Sequence, residues 1–291
     1  MKIIDRKNGQ IINEVEDSAG IIRFLYHSLP GRIFLKLFFA RVYFSKLLSL
    51  YYKSPLSKAK IESFVKKYNM DSRLLKRGFV SFDDFFTRKE RINPDREGFI
   101  ATASAKLRVF RIGENGELYQ GKKRLNIMIK GNVYNTNKLL KSPLPKWARG
   151  GYLLLYRLSL LDYHRYIYPI GGRCKAKISI DGHLESVRRD AAYWRAFAEN
   201  KRVLEYWQSE HGKMLHIEIG AMLVGHIHNY EKKVFSKGEE KGYFSYGGSS
   251  IVEIVGKGIE IDKDILKNSE EGFETKVRIG ERIGYGKTEK A

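Results

Sequence analysis

Downstream of Asn93 and Pro94 the chain breaks into short apolar segments: "KLRVFRI" (106–112), "GYLLLYRLSL" (151–160), "KAKISI" (175–180), "LHIEIGAMLVG" (215–225), "SSIVEIV" (249–255), "KGIEI" (257–261) and "TKVRIG" (275–280). Each is of strand length, rich in Val, Ile and Leu, and bounded by Gly, Asn or Asp. Their spacing leaves little room for crossover helices, so they predict an antiparallel sheet system rather than a parallel βαβ fold. A chain of 291 residues can bury a full core with such strands.

The first third differs in character. Ile61, Phe64, Val65 and Tyr68 in "SKAKIESFVKKYNM" fall at helical spacing and read as core anchors. The most apolar stretch, "RIFLKLFFARVYFSKLLSLYYKS" (32–54), is about the length of a membrane span, yet Lys36, Arg41 and Lys46 interrupt it at intervals of five. The cations fall at separated angles, so it is no clean two-faced helix; Phe34, Phe38, Phe39, Tyr43, Phe44, Tyr51 and Tyr52, with cations snorkelling, fit a segment lying in a headgroup layer, and equally a helix covering the core. The fold class expected is therefore α+β: an N-terminal helical, membrane-associating region over residues 1–92, then an antiparallel β-rich core over 93–291.

Lys and Arg number 54 against 33 Asp and Glu, a formal net charge of +21, which draws the surface to polyanions. No zinc finger, RNA-recognition motif or helix-turn-helix signature accompanies that charge, so an anionic lipid surface is preferred to nucleic acid. Cys174 stands alone and forms no internal disulfide. The opening "MKIIDRKNGQ" has charges where a signal peptide needs an apolar core, which predicts a cytoplasmic protein.

Among the histidines, His164, His216, His226 and His228 were weighed as ligands; His226 and His228 share a strand face but lack a third partner, so no metal site is expected. "GGSS" (247–250) reads at its simplest as a turn before a strand.

Several motifs together resemble the phosphatidylserine decarboxylase family, in particular its clostridial form. They are "FDDFFTRK" (82–89), "DYHRYIYP" (162–169), "IGAMLVGHI" (219–227), "KGEEKGYFSYGGSSIVEIV" (237–255) and "GFETKVRIGERIG" (272–284), in family order over nearly the whole chain. The resemblance implies a proenzyme that cuts itself between Gly248 and Ser249, leaving pieces 1–248 and 249–291. Ser249 would attack the preceding carbonyl and become a pyruvoyl group, an electron sink made from the chain, so that no external cofactor is needed. The implied reaction is decarboxylation of phosphatidylserine to phosphatidylethanolamine at the cytoplasmic face of a membrane.

In the family an Asp-His pair activates the serine, the Asp in Pro-x-Asp-Gly and the His second in Tyr-His-Arg-x-His. Here "IATASAKLRVF" (100–110) places Thr102, Ser104 and Ala105 at the Pro, Asp and Gly positions, and Ile167 stands for the second His. Neither Ser104 nor Ile167 can do the missing work. The first His survives as His164, to which the resemblance gives substrate or proton handling. His226 or His228 is a candidate replacement base. Two readings follow: a decarboxylase with Ser249 as precursor, or an uncleaved inactive relative that binds anionic phospholipid or a membrane partner.

Overall fold

The computed structural model describes residues 2–13, 28–34, 49–125, 128–129, 132–133, 135–182, 197–220, 227–245 and 249–287. Most of the aromatic segment 32–54, together with His226 and Gly248, lies outside the described residues.

The apolar runs do form an antiparallel core. One large sheet passes through Val234–Phe235, Gly172–Ile180, Arg202–Ser209, Gly212–Ile219, Ser249–Val255, Tyr152–Leu158, Ala105–Ile112, Glu274–Val277, Lys2–Asp5 and Ile11–Asn13. Ser249–Val255 sits in its interior, paired to Gly212–Ile219 on one side and Tyr152–Leu158 on the other. Every residue of that strand is buried, which explains its unbroken apolar run. Ile251 and Val255 join one core with Tyr156, Tyr166, Trp207 and Phe244. Val252 and Ile254 face the other, with Leu153, Leu155, Leu215 and Ile217.

A small sheet, ordered Arg165–Ile167, Glu240–Phe244, Ile227–Asn229, packs on the first of those faces. A further sheet joins Ile259–Ile261, Arg282–Gly286 and Phe99–Ile100.

The N-terminal region is not helical from its start, as the sequence reading had it. Lys2–Asp5 pairs in parallel with Glu274–Val277, and antiparallel with Ile11–Asn13. The cause is local: Ile3 and Ile4 favour extended backbone, and the chain reverses at Asn8-Gly9, with Gly9 at φ +70°. Arg6 then fastens this hairpin to the chain's end through Asp262, Asp264 and Glu281.

Helices follow at Leu29–Phe34, Ala59–Lys67 and Phe82–Phe86. The last is capped by Ser81, whose hydroxyl accepts from Asp84 N–H. Ile61, Val65, Phe79, Phe82, Phe85 and Phe86 bury together, partly covered by Phe64. This helical cap reaches the small sheet where the Phe86 ring meets that of His164 at 4.1 Å. No helix among the described residues is long and apolar enough to cross a membrane.

Candidate active site

Ser249 opens the interior strand opposite Leu158, and Ser250 opposite Arg157. Both serines are fully buried, and neither hydroxyl has a hydrogen-bond partner among the described residues. An orphaned buried hydroxyl forfeits roughly 1–3 kcal/mol of solvation, an uncommon arrangement in a core. Ser249 lies on the same face as Ile251 and Glu253, toward the small sheet, because side chains alternate along the strand.

Ile167 is bonded to the segment that precedes Ser104, from the opposite half of the sequence. Ile167 N–H donates to Thr102 O at 2.9 Å, and the Thr102 hydroxyl donates to Ile167 O at 2.6 Å. Ser104 stands two residues on, its hydroxyl accepting from Ile279 N–H at 3.0 Å. Ala105 then begins a strand paired to Tyr152–Leu158 through Lys106 and Arg157. One strand separates Ser104's strand from that of Ser249, so the two lie on the order of 10 Å apart. Ile167 is buried and apolar, with nothing to accept a proton.

His164 is fully buried under Phe86. Its Nδ1 lies 2.8 Å from the Asp162 carbonyl, which can only accept, so Nδ1 carries the proton and Nε2 is left as a bare acceptor. That Nε2 has no hydrogen-bond partner among the described residues. Burial pulls the imidazole down to about 4, against weaker opposing pulls from Asp162. His164 is therefore neutral at pH 7.

A depressed basic pKa means that folding excludes a proton: the contribution is complete above pH 6.5 and lost as pH falls from there toward 4. Over that window it amounts to about 3 kcal/mol. His164→Phe is expected to flatten the fall in urea midpoint between pH 6.5 and 4. An unchanged slope would contradict a neutral His164.

His228 directs Nε2 to the Ser245 hydroxyl at 3.0 Å and stacks on Tyr243 at 4.5 Å. It touches the segment before Gly248 and is not bonded to Ser249. His216, one of the histidines considered as ligands, lies in the core between Glu218 and Glu253. Sequence reasoning missed Glu205, Glu218, Lys241 and Glu253, all buried. The available signal was a charged residue at an inward position of an otherwise apolar strand, as in "SSIVEIV". Among the described residues no group of three or more His, Cys, Asp or Glu is placed to hold a metal ion.

The family model described as phosphatidylserine decarboxylase matches residues 81–285. The chain is 37% identical to "Phosphatidylserine decarboxylase proenzyme 2" of Clostridium acetobutylicum, covering 97% of each. It is 36% identical to a phosphatidylserine decarboxylase proenzyme of Clostridium perfringens, covering 98% of this chain and 99% of that one. A proenzyme of the same name from Fusobacterium nucleatum is 31% identical over 99% of this chain. With the serine-headed strand, the Thr102–Ile167 juncture and near end-to-end matches in hand, the chain belongs to the phosphatidylserine decarboxylase family.

Proposed function

We propose that this chain is a proenzyme for decarboxylation of phosphatidylserine to phosphatidylethanolamine, with Ser249 as pyruvoyl precursor and Gly248–Ser249 as the bond cut, and that its self-cleavage is slow. The family's cofactor is a pyruvoyl group derived from a chain serine, and no external cofactor is required. Ser249 fits that role: it heads an interior strand, its hydroxyl is buried, and among the described residues it has no hydrogen-bond partner. When formed, the ketone serves as an electron sink for the departing carboxylate. The chain's own residues would do the rest. His164, neutral with Nε2 open, can take or return a proton, and the close packing around Phe86 keeps water from it.

The observation that carries this reading is the buried Ser249 hydroxyl, which has no hydrogen-bond partner among the described residues; the sequence also supports a second reading. With Ser104 and Ile167 in place of the acid and base, the chain would remain uncut and act only as a binder of anionic phospholipid or a membrane partner. Intact-mass measurement on protein made in cells separates them. Two fragments, 1–248 and a 249–291 piece with a blocked N-terminus, support the proenzyme, and Ser249→Ala is expected to abolish them. A single full-length species persisting over days sinks it.

Peripheral binding to the inner face of a membrane would suit either reading. Leu50, Leu56, Leu75 and Val80 project from the helical cap at 67%, 79%, 39% and 65% exposure, large for apolar side chains. Exposed Lys53, Lys58, Lys60, Arg73, Lys76 and Arg77 lie beside them in the chain. Apolar tips among cations suit an anionic bilayer. Replacing Leu56 or Val80 by Glu is expected to weaken binding to phosphatidylserine-containing vesicles about tenfold each. Binding that ignores both substitutions and added salt would remove this face from consideration.

A further inference from the structure

The strand Glu240–Phe244 runs directly into the processing segment, and its Lys241 is completely buried. The three ammonium protons match three acceptors: Glu205 Oε1 at 3.1 Å, Glu218 Oε1, and Asn229 Oδ1 at 2.8 Å. The ammonium also lies over the rings of Tyr166 and Trp207, at 5.8 and 5.9 Å. Glu205 and Glu218 belong to the large sheet, whereas Lys241 and Asn229 belong to the small one. The ammonium thus bridges two sheets.

Contacts continue on both sides of this bridge. Glu218 Oε1 approaches His216 Nε2 at 3.3 Å as an ion-pair contact without hydrogen-bond geometry, and His216 Nδ1 is hydrogen-bonded to Glu253 Oε1 at 3.1 Å. The other Glu253 oxygen accepts from the Tyr156 hydroxyl at 3.0 Å. That hydroxyl in turn faces the backbone N–H of Thr102, on the loop carrying Ser104. In the opposite direction Asn229 Oδ1 accepts from the Tyr166 hydroxyl at 3.1 Å, next to Ile167. His228, its neighbour, holds Ser245. The network therefore touches three stretches: the loop carrying Thr102 and Ser104, the strand of Tyr166 and Ile167, and Ser245 on the chain's approach to Ser249.

Apolar side chains would hold two sheets together at less desolvation cost than buried charges do. What apolar packing lacks is a fixed height: a bonded ammonium admits one position, whereas greasy surfaces slide.

We propose that Lys241 is a positioning residue for self-cleavage: clamped by Glu205 and Glu218, it fixes the level at which the strand into Gly248–Ser249 lies on the large sheet. The assignment to cleavage rests on the function proposed above. Through Glu218, His216, Glu253 and Tyr156 the same clamp reaches the loop of Ser104.

The test has two arms. In full-length Ser249→Ala protein, which cannot be cut at this bond, Lys241→Met is expected to raise amide exchange across residues 241–244 at least tenfold, sparing residues 152–158. Adding Glu218→Gln should restore most of the protection, because it removes the carboxylate left uncompensated. A side chain that only filled space would not be rescued from Glu218. Unchanged exchange in Lys241→Met, or no rescue by Glu218→Gln, overturns the clamp.

If Lys241→Met does not fold, Glu218→Gln alone decides: a threefold or greater rise over 241–244 supports the clamp and no rise refutes it. The second arm follows fragment formation by intact mass in protein with Ser249 and with Ser104→Asp and Ile167→His installed. Lys241→Met should slow it at least tenfold, and an equal rate refutes the positioning role. Absence of any cut in the parent protein counts against the proposed function, while the exchange arm still judges the clamp.

Discussion

Protein carrying Ser104→Asp together with Ile167→His is expected to cut itself at Gly248–Ser249 about 10³-fold faster than the natural chain, the scale on which a triad's base and orienter act. The geometry is favourable to both changes. The hydroxyl of Ser104 already accepts from Ile279 N–H, a bond that a carboxylate oxygen can keep. Ile167 is locked by reciprocal bonds to Thr102, so an imidazole there would start from a fixed backbone. An imidazole in this buried place costs about 1–3 kcal/mol unless it is bonded, and the expected gain requires the carboxylate at 104 and the Ser249 hydroxyl, which has no partner among the described residues, to serve as its partners. Either change alone should do little, since a base without its orienter, or the reverse, leaves the serine unactivated. The readout is the mass-resolved fraction of 249–291 against time. A correctly folded double variant that cuts no faster would show that positions 104 and 167 are not where this chain's missing groups belong.

Loss of the Glu274 carboxylate should be strongly damaging to stability. Arg157 grips it with two bonds, Nε to Oε1 at 3.2 Å and Nη2 to Oε2 at 2.6 Å, and Glu274 is 1% exposed. Arg157 lies between Lys106 and Ser250 in the sheet register, and Lys106 and Arg108 are themselves buried. Glu274→Ala takes an anion out of a cationic neighbourhood, and breaking a buried pair in this way costs about 3–5 kcal/mol. The measurement is the urea midpoint of Ser249→Ala protein with and without Glu274→Ala. A loss below about 1 kcal/mol would mean that other contacts already neutralise Arg157. Replacing both partners, Arg157→Met with Glu274→Leu, should recover most of the loss.

Legibility in the sequence tracked how local the cause was. Ser249–Val255 and Tyr152–Leu158 were readable because burial on both faces writes an apolar run, whereas "FDDFFTRK" was legible only as a family motif, its Ser81-capped helix going unread. Arg202–Ser209 was passed over. Its Glu205 and Gln208 look like breaks in a strand until Lys241 and the Trp207 N–H, which donates to Glu205, supply the partners. The opening hairpin carried a visible Asn8-Gly9 signal, but its pairing with Glu274–Val277 joins the two ends of the chain and has no local trace. The identity of Ser104, Ile167 and Ser249 came from motif resemblance. That residue 167 lies against residue 102 depends on backbone bonds between distant segments, which no periodicity encodes.

The interior place of Ser249–Val255 changes what cutting the chain would mean. A break before Ser249 severs the connection to an inner strand without freeing it, because ladders to Gly212–Ile219 and Tyr152–Leu158 flank it on both sides. Glu274–Val277 is likewise enclosed by Ala105–Ile112 and Lys2–Asp5, and Arg6 holds Asp262 and Asp264. The matured protein would be a heterodimer interleaved within a single sheet. Its unfolding would also be a dissociation, so its midpoint would rise with protein concentration while that of the uncut chain would not.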